Sequence, residues 1–402
     1  MKIRPPSASS RERGFSRYSG SAGPSVAQQA TPMNRFSRHG LIPGFDQQRL
    51  LDASILVVGA GAIGNEVLKN LALMGFGAVH IIDPDSIEET NLCRSVLFDE
   101  RDVGRPKAEV AAEACRRLFP SGRFSWSQET FWRWASLARL RRFTAVIAAT
   151  DGFESRLQIN QLCRLAPVDF INAAVDARHA CVEAFPFRGD PASACYGCSL
   201  PRTVLGDISA RRSCAGLRRA ALNEQRVPTT AITASHAGAG ATAALLAEVL
   251  QDPCRPSGAV RRFFDTVDPR GSSVAFIERV ASCSECPGGQ PVARIDCGPT
   301  VGELSSGWSR GAVSDLALSN PVVLWSVCKG CGERREFCTA AADTDISILD
   351  CTRCGPGTVR VEMRDQLSPD EMARLPRSMR LPVKYATYLR PEGMVLLEIS
   401  YP

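Results

Sequence analysis

The chain has 402 residues, 44% of them hydrophobic, enough to bury a substantial core and to divide into two or more units. Its formal net charge is only +6, and the excess sits at the front, where Lys2, Arg4, Arg11, Arg13, Arg17, Arg35 and Arg38 face Glu12 alone. This excludes a protein basic along its whole length for nucleic-acid binding, and sixteen cysteines without a secretory signal argue for metal binding or thiol chemistry in the cytoplasm over a disulfide framework.

In chain order, residues 1–30 are rich in Ser, Gly, Pro, Ala and Arg with no apolar run, and a disordered tail is expected there. The stretch "ILVVGAGAIGNEVLKN" then reads as a buried strand, Ile55 to Val58, a glycine turn and an amphipathic helix from Asn65 to Met74. In such a unit Gly59 permits the tight turn, Gly61 lets backbone N–H groups approach a phosphate, and Gly64 lets helix and strand pack closely. The second strand, "AVHIID", ends in Asp83, at the distance expected of an acid that holds ribose hydroxyls. Asn91, Arg94, Arg105 and Lys107 follow soon after, more cation than a redox cofactor needs and suited to in-line attack at a phosphate. Farther on, "FTAVIAATDGFESR" is a buried strand running into Asp151 and a helix. A carboxylate there can hold Mg2+ beside the crevice or cap the helix, and both roles are compatible.

The longest charge-poor stretch, "VPTTAITASHAGAGATAALLA", is mostly Ala, Thr and Gly around His236, which predicts a buried small-residue helix rather than a membrane span. The pairs Cys195/Cys198 and Cys283/Cys286 supply four thiolates for a closed structural zinc site. A second set, Cys328/Cys331 with Cys351/Cys354, has zinc-ribbon spacing; the acidic segment between its knuckles favours a structural or protein-docking module over nucleic-acid binding. Among the remaining cysteines Cys214 stands out, because Arg211, Arg212, Arg218 and Arg219 surround it in a loop-like segment and neighbouring positive charge lowers a thiol pKa.

Taken together, "GAGAIG", "DPDSIEETNLCR", "GRPKAEV" and "AATDGFESR" resemble the ubiquitin-activating-enzyme superfamily, whose bacterial members include ThiF and MoeB, from about Arg35 to Cys286. The resemblance implies an α/β fold, a Rossmann-like mixed sheet flanked by helices, with a small zinc-ribbon β module added. The expected units are a tail at 1–30, an ATP-binding adenylation domain with structural zinc at 31–290, a linker at 291–320 and the ribbon module at 321–402. ATP would lie on Gly59, Gly61, Gly64, Asp83 and Asp85, with Asn91, Arg94 and Lys107 at its triphosphate and Mg2+ on Asp151. "NRFSRHGLIPGF" looks like the family segment that sends an arginine, here Arg38, into the neighbouring subunit's site, so a homodimer is expected. The family has Gln after the arginine of the asparagine-leucine loop, where this chain has Ser95. Cys214 lies between "CYGC" and "VPTT", as does the reactive cysteine of members that form a thioester. The resemblance therefore implies activation of a ubiquitin-like modifier with a C-terminal glycine and its transfer to a conjugating enzyme. The closing segment from Leu375 and the ribbon module would hold one of these partners. Adenylation of a sulfur-carrier protein is the alternative; a non-catalytic nucleotide-binding scaffold is a further one, and no membrane or nucleic-acid partner is expected.

Overall fold

The computed structural model describes residues 34–205, 228–283, 285–286, 291–308, 312–341, 344, 346–355 and 358–400. The continuous apolar run of β1 (Ser54–Val58) is buried on both faces, which suits a central parallel strand. Around it β2 (Ala78–Ile82), β3 (Arg123–Ser127), β4 (Ala145–Ala148), β5 (Asp169–Val175), β6 (His179–Phe185), β7 (Val260–Asp265) and β8 (Ser273–Phe276) form one sheet. Its order is β3-β2-β1-β4-β5-β6-β7-β8. The first five strands are parallel and the last three antiparallel. From β1 the chain moves to β2 and β3 on one side and then to β4 on the other, so a crevice opens outside the carboxyl ends of β1 and β4.

Alternation along β1 assigns the two faces. Ile55 and Val57 join a core with α2 (Ala62–Met74), α3 (Lys107–Leu118) and α8 (Ala231–Val249). Leu56 and Val58 join another with α4 (Phe131–Trp134), α5 (Leu137–Leu140) and α6 (Phe153–Leu165). The charge-poor stretch is indeed the long helix α8, started by a capping box between Thr230 and Thr233. It crosses α2 so closely that a Cβ on Gly238 would meet the Glu66 Cβ at 2.4 Å. Among the described residues no helix is long and apolar enough to cross a membrane.

The second sheet contains β9 (Ala293–Cys297), β10 (Leu316–Cys328), β11 (Arg334–Ala340), β12 (Val359–Leu367), β13 (Tyr385–Arg390) and β14 (Gly393–Ile399). Its order is β11-β10-β13-β14-β9, with β12 also paired to β10. One expectation changes here. The supposed linker 291–320 contributes β9, helix α9 (Val301–Trp308) and the start of β10, because β9 pairs in parallel with β14 and Val301, Leu304 and Trp308 enter the second core. The closing segment supplies the β13–β14 hairpin at the heart of this sheet. Tyr385, Met394 and Leu396 also reach the first unit's core beside Phe131, Trp132 and Leu140. Arg141 completes the junction with a two-pronged bond to Glu398 at 2.7 and 2.6 Å. The expected tail lies outside the described residues.

Candidate functional site

The glycine turn follows β1 at the switch point of the sheet. Gly59 has φ +97°, and a Cβ there would lie 2.4 Å from the Ala149 carbonyl oxygen, where the turn passes the end of β4. A Cβ on Gly64 would lie 2.0 Å from the Gly59 carbonyl oxygen. At Gly61 nothing stands within 4 Å, so that face of the turn is open. Gly61 is also the N-cap of α2, and no side chain caps that end. Asp83, at the end of β2, is 5% exposed. Its carboxylate accepts from the N–H of Ala60 at 2.6 Å and of Asp85 at 2.8 Å. Burial outweighs these two bonds and raises its pKa above the usual carboxylate value.

The next loop carries the cations. Asn91 Oδ1 accepts from the Glu88 N–H at 3.0 Å, and Arg94 Nη1 donates to the Thr90 carbonyl at 2.5 Å. Lys107 opens α3 with its Nζ 2.9 Å from an Asp85 carboxylate oxygen. Arg105, grouped with them on sequence, is engaged by Asp102 and Glu113 at 3.0 Å each, which makes it a brace for the loop. The Ser95 hydroxyl is buried with no hydrogen-bond partner among the described residues.

Asp151 sits exposed between β4 and α6. Gly152 is the N-cap of α6 and no side chain caps that end, so the capping role is not taken up. Two residues given no role on sequence prove central to the local geometry. Arg156 Nε and Nη2 donate to the Thr150 carbonyl at 3.0 and 2.6 Å, holding the turn that carries Asp151. Asn65, fully buried, bonds both the glycine turn and the cationic loop. The legible signal in each case was a polar residue at a core-facing position of an amphipathic helix.

Arg38 is not brought to these residues within one chain. Its segment is anchored by Phe36 against Phe119, by Arg35 to the Leu118 carbonyl and by Gln47 to the Met74 carbonyl. These anchors are the carboxyl ends of α3 and α2, and the 13 residues of α2 put about 20 Å between its two ends. Arg38 is exposed, next to Leu41 at 81% and Ile42 at 51% exposure.

The cysteines gather into two groups of four. In the first, Cys195 opens α7 (Tyr196–Ser199), and Sγ separations are 3.8 Å for Cys195–Cys198, 3.8 Å for Cys195–Cys283 and 3.6 Å for Cys198–Cys286. Four sulfurs at about 2.3 Å from a zinc ion stand about 3.8 Å apart, so the set fits that ion. In the second, Cys328 ends β10, and Cys331 lies 3.6 Å from Cys351. N–H groups aimed at its sulfur, chiefly that of Cys331, pull the Cys328 thiol down to about 6. The ligand atoms of each group lie within 4.8 Å of one another. The first group is buried except at Cys198, whereas Cys331 and Cys354 of the second are exposed. Cys214 lies outside the described residues.

A switch point in a doubly wound sheet, with an open glycine turn beside the buried Asp83 and the Asp85–Lys107 pair, defines a protein of the Rossmann type. Residues 29–293 match the ThiF family, and the chain belongs to that family. It is 32% identical over 189 residues to the adenylyltransferase and sulfurtransferase MOCS3-1 of Zea mays, covering 46% of this chain and 40% of that protein. Over 188 residues it is 31% identical to the SAMP-activating enzyme E1 of Haloferax volcanii, covering 44% and 65%. Over 175 residues it is 32% identical to the sulfur carrier protein adenylyltransferase of Thermus thermophilus, covering 42% and 65%. The chain thus spans less than two thirds of the length of these curated relatives. E. coli MccB, solved with ATP, shares the fold at a TM-score of 0.52 and 24% identity, covering 64% of this chain and 75% of that one.

Proposed function

We propose that this protein uses ATP to adenylate the C-terminal glycine of a small carrier protein, with a ubiquitin-like modifier as the first candidate. The observation that carries the reading is the meeting of the open glycine turn, Asp83 and the Asp85–Lys107 pair at one strand end. The Asp83 carboxylate accepts ribose hydroxyls there, and the turn and Lys107 face the phosphates. A carrier carboxylate oxygen attacks the α-phosphorus; that P–O bond forms as the bond to the β-phosphate oxygen breaks and pyrophosphate leaves with the electron pair. Arg94, Lys107 and the partner subunit's Arg38 balance the charge on the transferring group and the leaving pyrophosphate, with Asn91 at the triphosphate. Asp151 would hold Mg2+, which neutralises phosphate charge when bound. The exposed Leu41 and Ile42 beside Arg38 support a homodimer in which that arginine crosses over.

In the second step the Cys214 thiolate attacks the acyl carbon, AMP leaves, and the thioester passes to a conjugating-enzyme cysteine. Both cysteine groups hold zinc as structural staples. The many cysteines support a reducing, cytoplasmic setting. The names of the Zea mays and Thermus thermophilus relatives favour a second reading, in which the adenylated protein is a sulfur carrier. Carrier-dependent exchange of labelled pyrophosphate into ATP tests the shared step, and its absence with every glycine-ended carrier tried would leave a nucleotide-binding scaffold. A reducible covalent complex with the carrier then separates conjugation from activation alone.

A further inference from the structure

Asn65 has 0% exposure and uses its side-chain amide in both directions. Nδ2 donates to the Ala60 carbonyl at 2.7 Å and to the Gly61 carbonyl at 3.1 Å. Oδ1 accepts from the Leu97 N–H at 2.8 Å. The orientation of the amide is settled by chemistry, since two of its partners are carbonyls and the third is an N–H. Leu97 lies three residues past Arg94, so a single buried group joins the glycine turn on one wall of the crevice to the cationic loop on the other.

The bonds have a directional consequence. In a trans peptide the C=O of one residue and the N–H of the next point opposite ways. With the Ala60 carbonyl drawn inward to the Asn65 side chain, the Gly61 N–H is turned outward, away from Asn65; the Gly61 carbonyl accepts both the Asn65 main-chain N–H at 2.8 Å and its side chain, which reinforces the same outward direction at the Ala62 N–H. The Ala60 N–H is committed separately to Asp83, so the ribose side of the turn does not depend on Asn65.

We propose that Asn65 is a positioning residue for the triphosphate: it aims the Gly61 and Ala62 N–H groups at phosphate oxygens and holds the Arg94 loop at the matching distance. This rests on the nucleotide reading of the site and adds to it a division of labour, with Asp83 serving the nucleoside and Asn65 serving the phosphates through the backbone it orients.

The test compares two ligands on the full chain: adenosine, which reaches the Asp83 side alone, and the non-hydrolysable AMPCPP with Mg2+, which needs both sides. Asn65→Ala should weaken AMPCPP binding more than tenfold and leave adenosine binding within about twofold. Hydrogen exchange should speed up at residues 92–98 and stay unchanged in β13 and β14. Asn65→Ser, whose hydroxyl can still reach a carbonyl one turn back, should fall between Ala and wild type, and it carries the test if the alanine variant does not fold. A purely structural role would weaken both ligands together or neither, and either result overturns the proposal, as does a wild-type chain that does not bind AMPCPP. Wild type that binds AMPCPP but performs no carrier-dependent exchange sinks the adenylation reading alone, and the split between the ligands still upholds the role of Asn65.

Discussion

Lys107 and Asp85 are joined twice: the lysine Nζ lies 2.9 Å from the aspartate carboxylate, and the lysine N–H donates to the aspartate carbonyl at 2.9 Å. The pair clasps the start of α3 to the strand end that bears Asp83. Asp85 is 63% exposed at its side chain, so the ion pair contributes about 1 kcal/mol or less, and an incoming phosphate can take the lysine from it. Lys107→Met is therefore expected to keep its melting temperature within a few degrees of wild type. Pyrophosphate exchange should fall by about 10²–10³ through loss of transition-state charge stabilisation. Exchange within tenfold of wild type would remove Lys107 from the chemistry.

Asp151→Ala should separate function from stability. No hydrogen bond or ion pair engages this exposed carboxylate among the described residues, and Gly152 holds the N-cap position of α6. A stability change within about 0.5 kcal/mol is expected on denaturant unfolding, together with loss of exchange at all Mg2+ concentrations. Full activity in that variant would mean the metal is held elsewhere.

Arg38 stands at the far end of α2 from the glycine turn, so under the proposed crossover it would act in the site of a second subunit. Arg38→Ala and Lys107→Ala chains should each be inactive alone. One of the two sites in each mixed dimer should be intact, so random one-to-one mixing should restore activity to about a quarter of all sites. Mixing demonstrated by mass spectrometry without any recovery would sink the crossover.

Metal analysis should find two zinc ions per chain. Cys354→Ser should leave one and retain exchange, because that ligand is exposed on the second sheet. Cys195→Ser should be far more damaging, since Cys195 is 0% exposed in the core that also holds Phe170, Phe185 and Leu157. A fully stable Cys195→Ser chain holding a single zinc would contradict the staple role.

Thiol chemistry gives a pH prediction. Burial pushes the Cys115 thiol up to about 12 and the Cys181 thiol up to about 11. The thiolate is the reactive form, so at pH 8 each carries about one part in a thousand or less of it, and reactivity should grow only as pH rises toward those values. Outside the two groups of four, the exposed described cysteines are Cys93 and Cys254, and of that remainder they should take iodoacetamide first. Cys214→Ala should preserve exchange while abolishing any reducible carrier complex. A complex that survives this change would move the nucleophile to another cysteine.

What could be read from the chain by itself was what depends on neighbours in sequence. The β1–turn–α2 unit, Asp83 at the next strand end, the loop of Asn91 and Arg94 and the four Cys-x-x-Cys pairs are short-range patterns, because steric limits at a tight turn and the bite of one thiol pair act over a few residues. Gly59, Gly61 and Gly64 could be assigned separate tasks on that basis alone; the structure leaves no room for a Cβ at Gly59 or Gly64 and open space at Gly61.

Tertiary structure alone decided what depends on distant pairing. β9 finds β14 about 100 residues later, which turns an apparent linker into a sheet edge, and Asn65 reaches Leu97 across 32 residues. It also sorted the charged residues by their partners, committing Arg105 to Asp102 and Glu113 while Asp151 was left open. Local composition could not make that distinction, because a backbone pairing or a charge's partner is set by which surfaces the folded core brings within hydrogen-bond reach, and that depends on the whole chain at once.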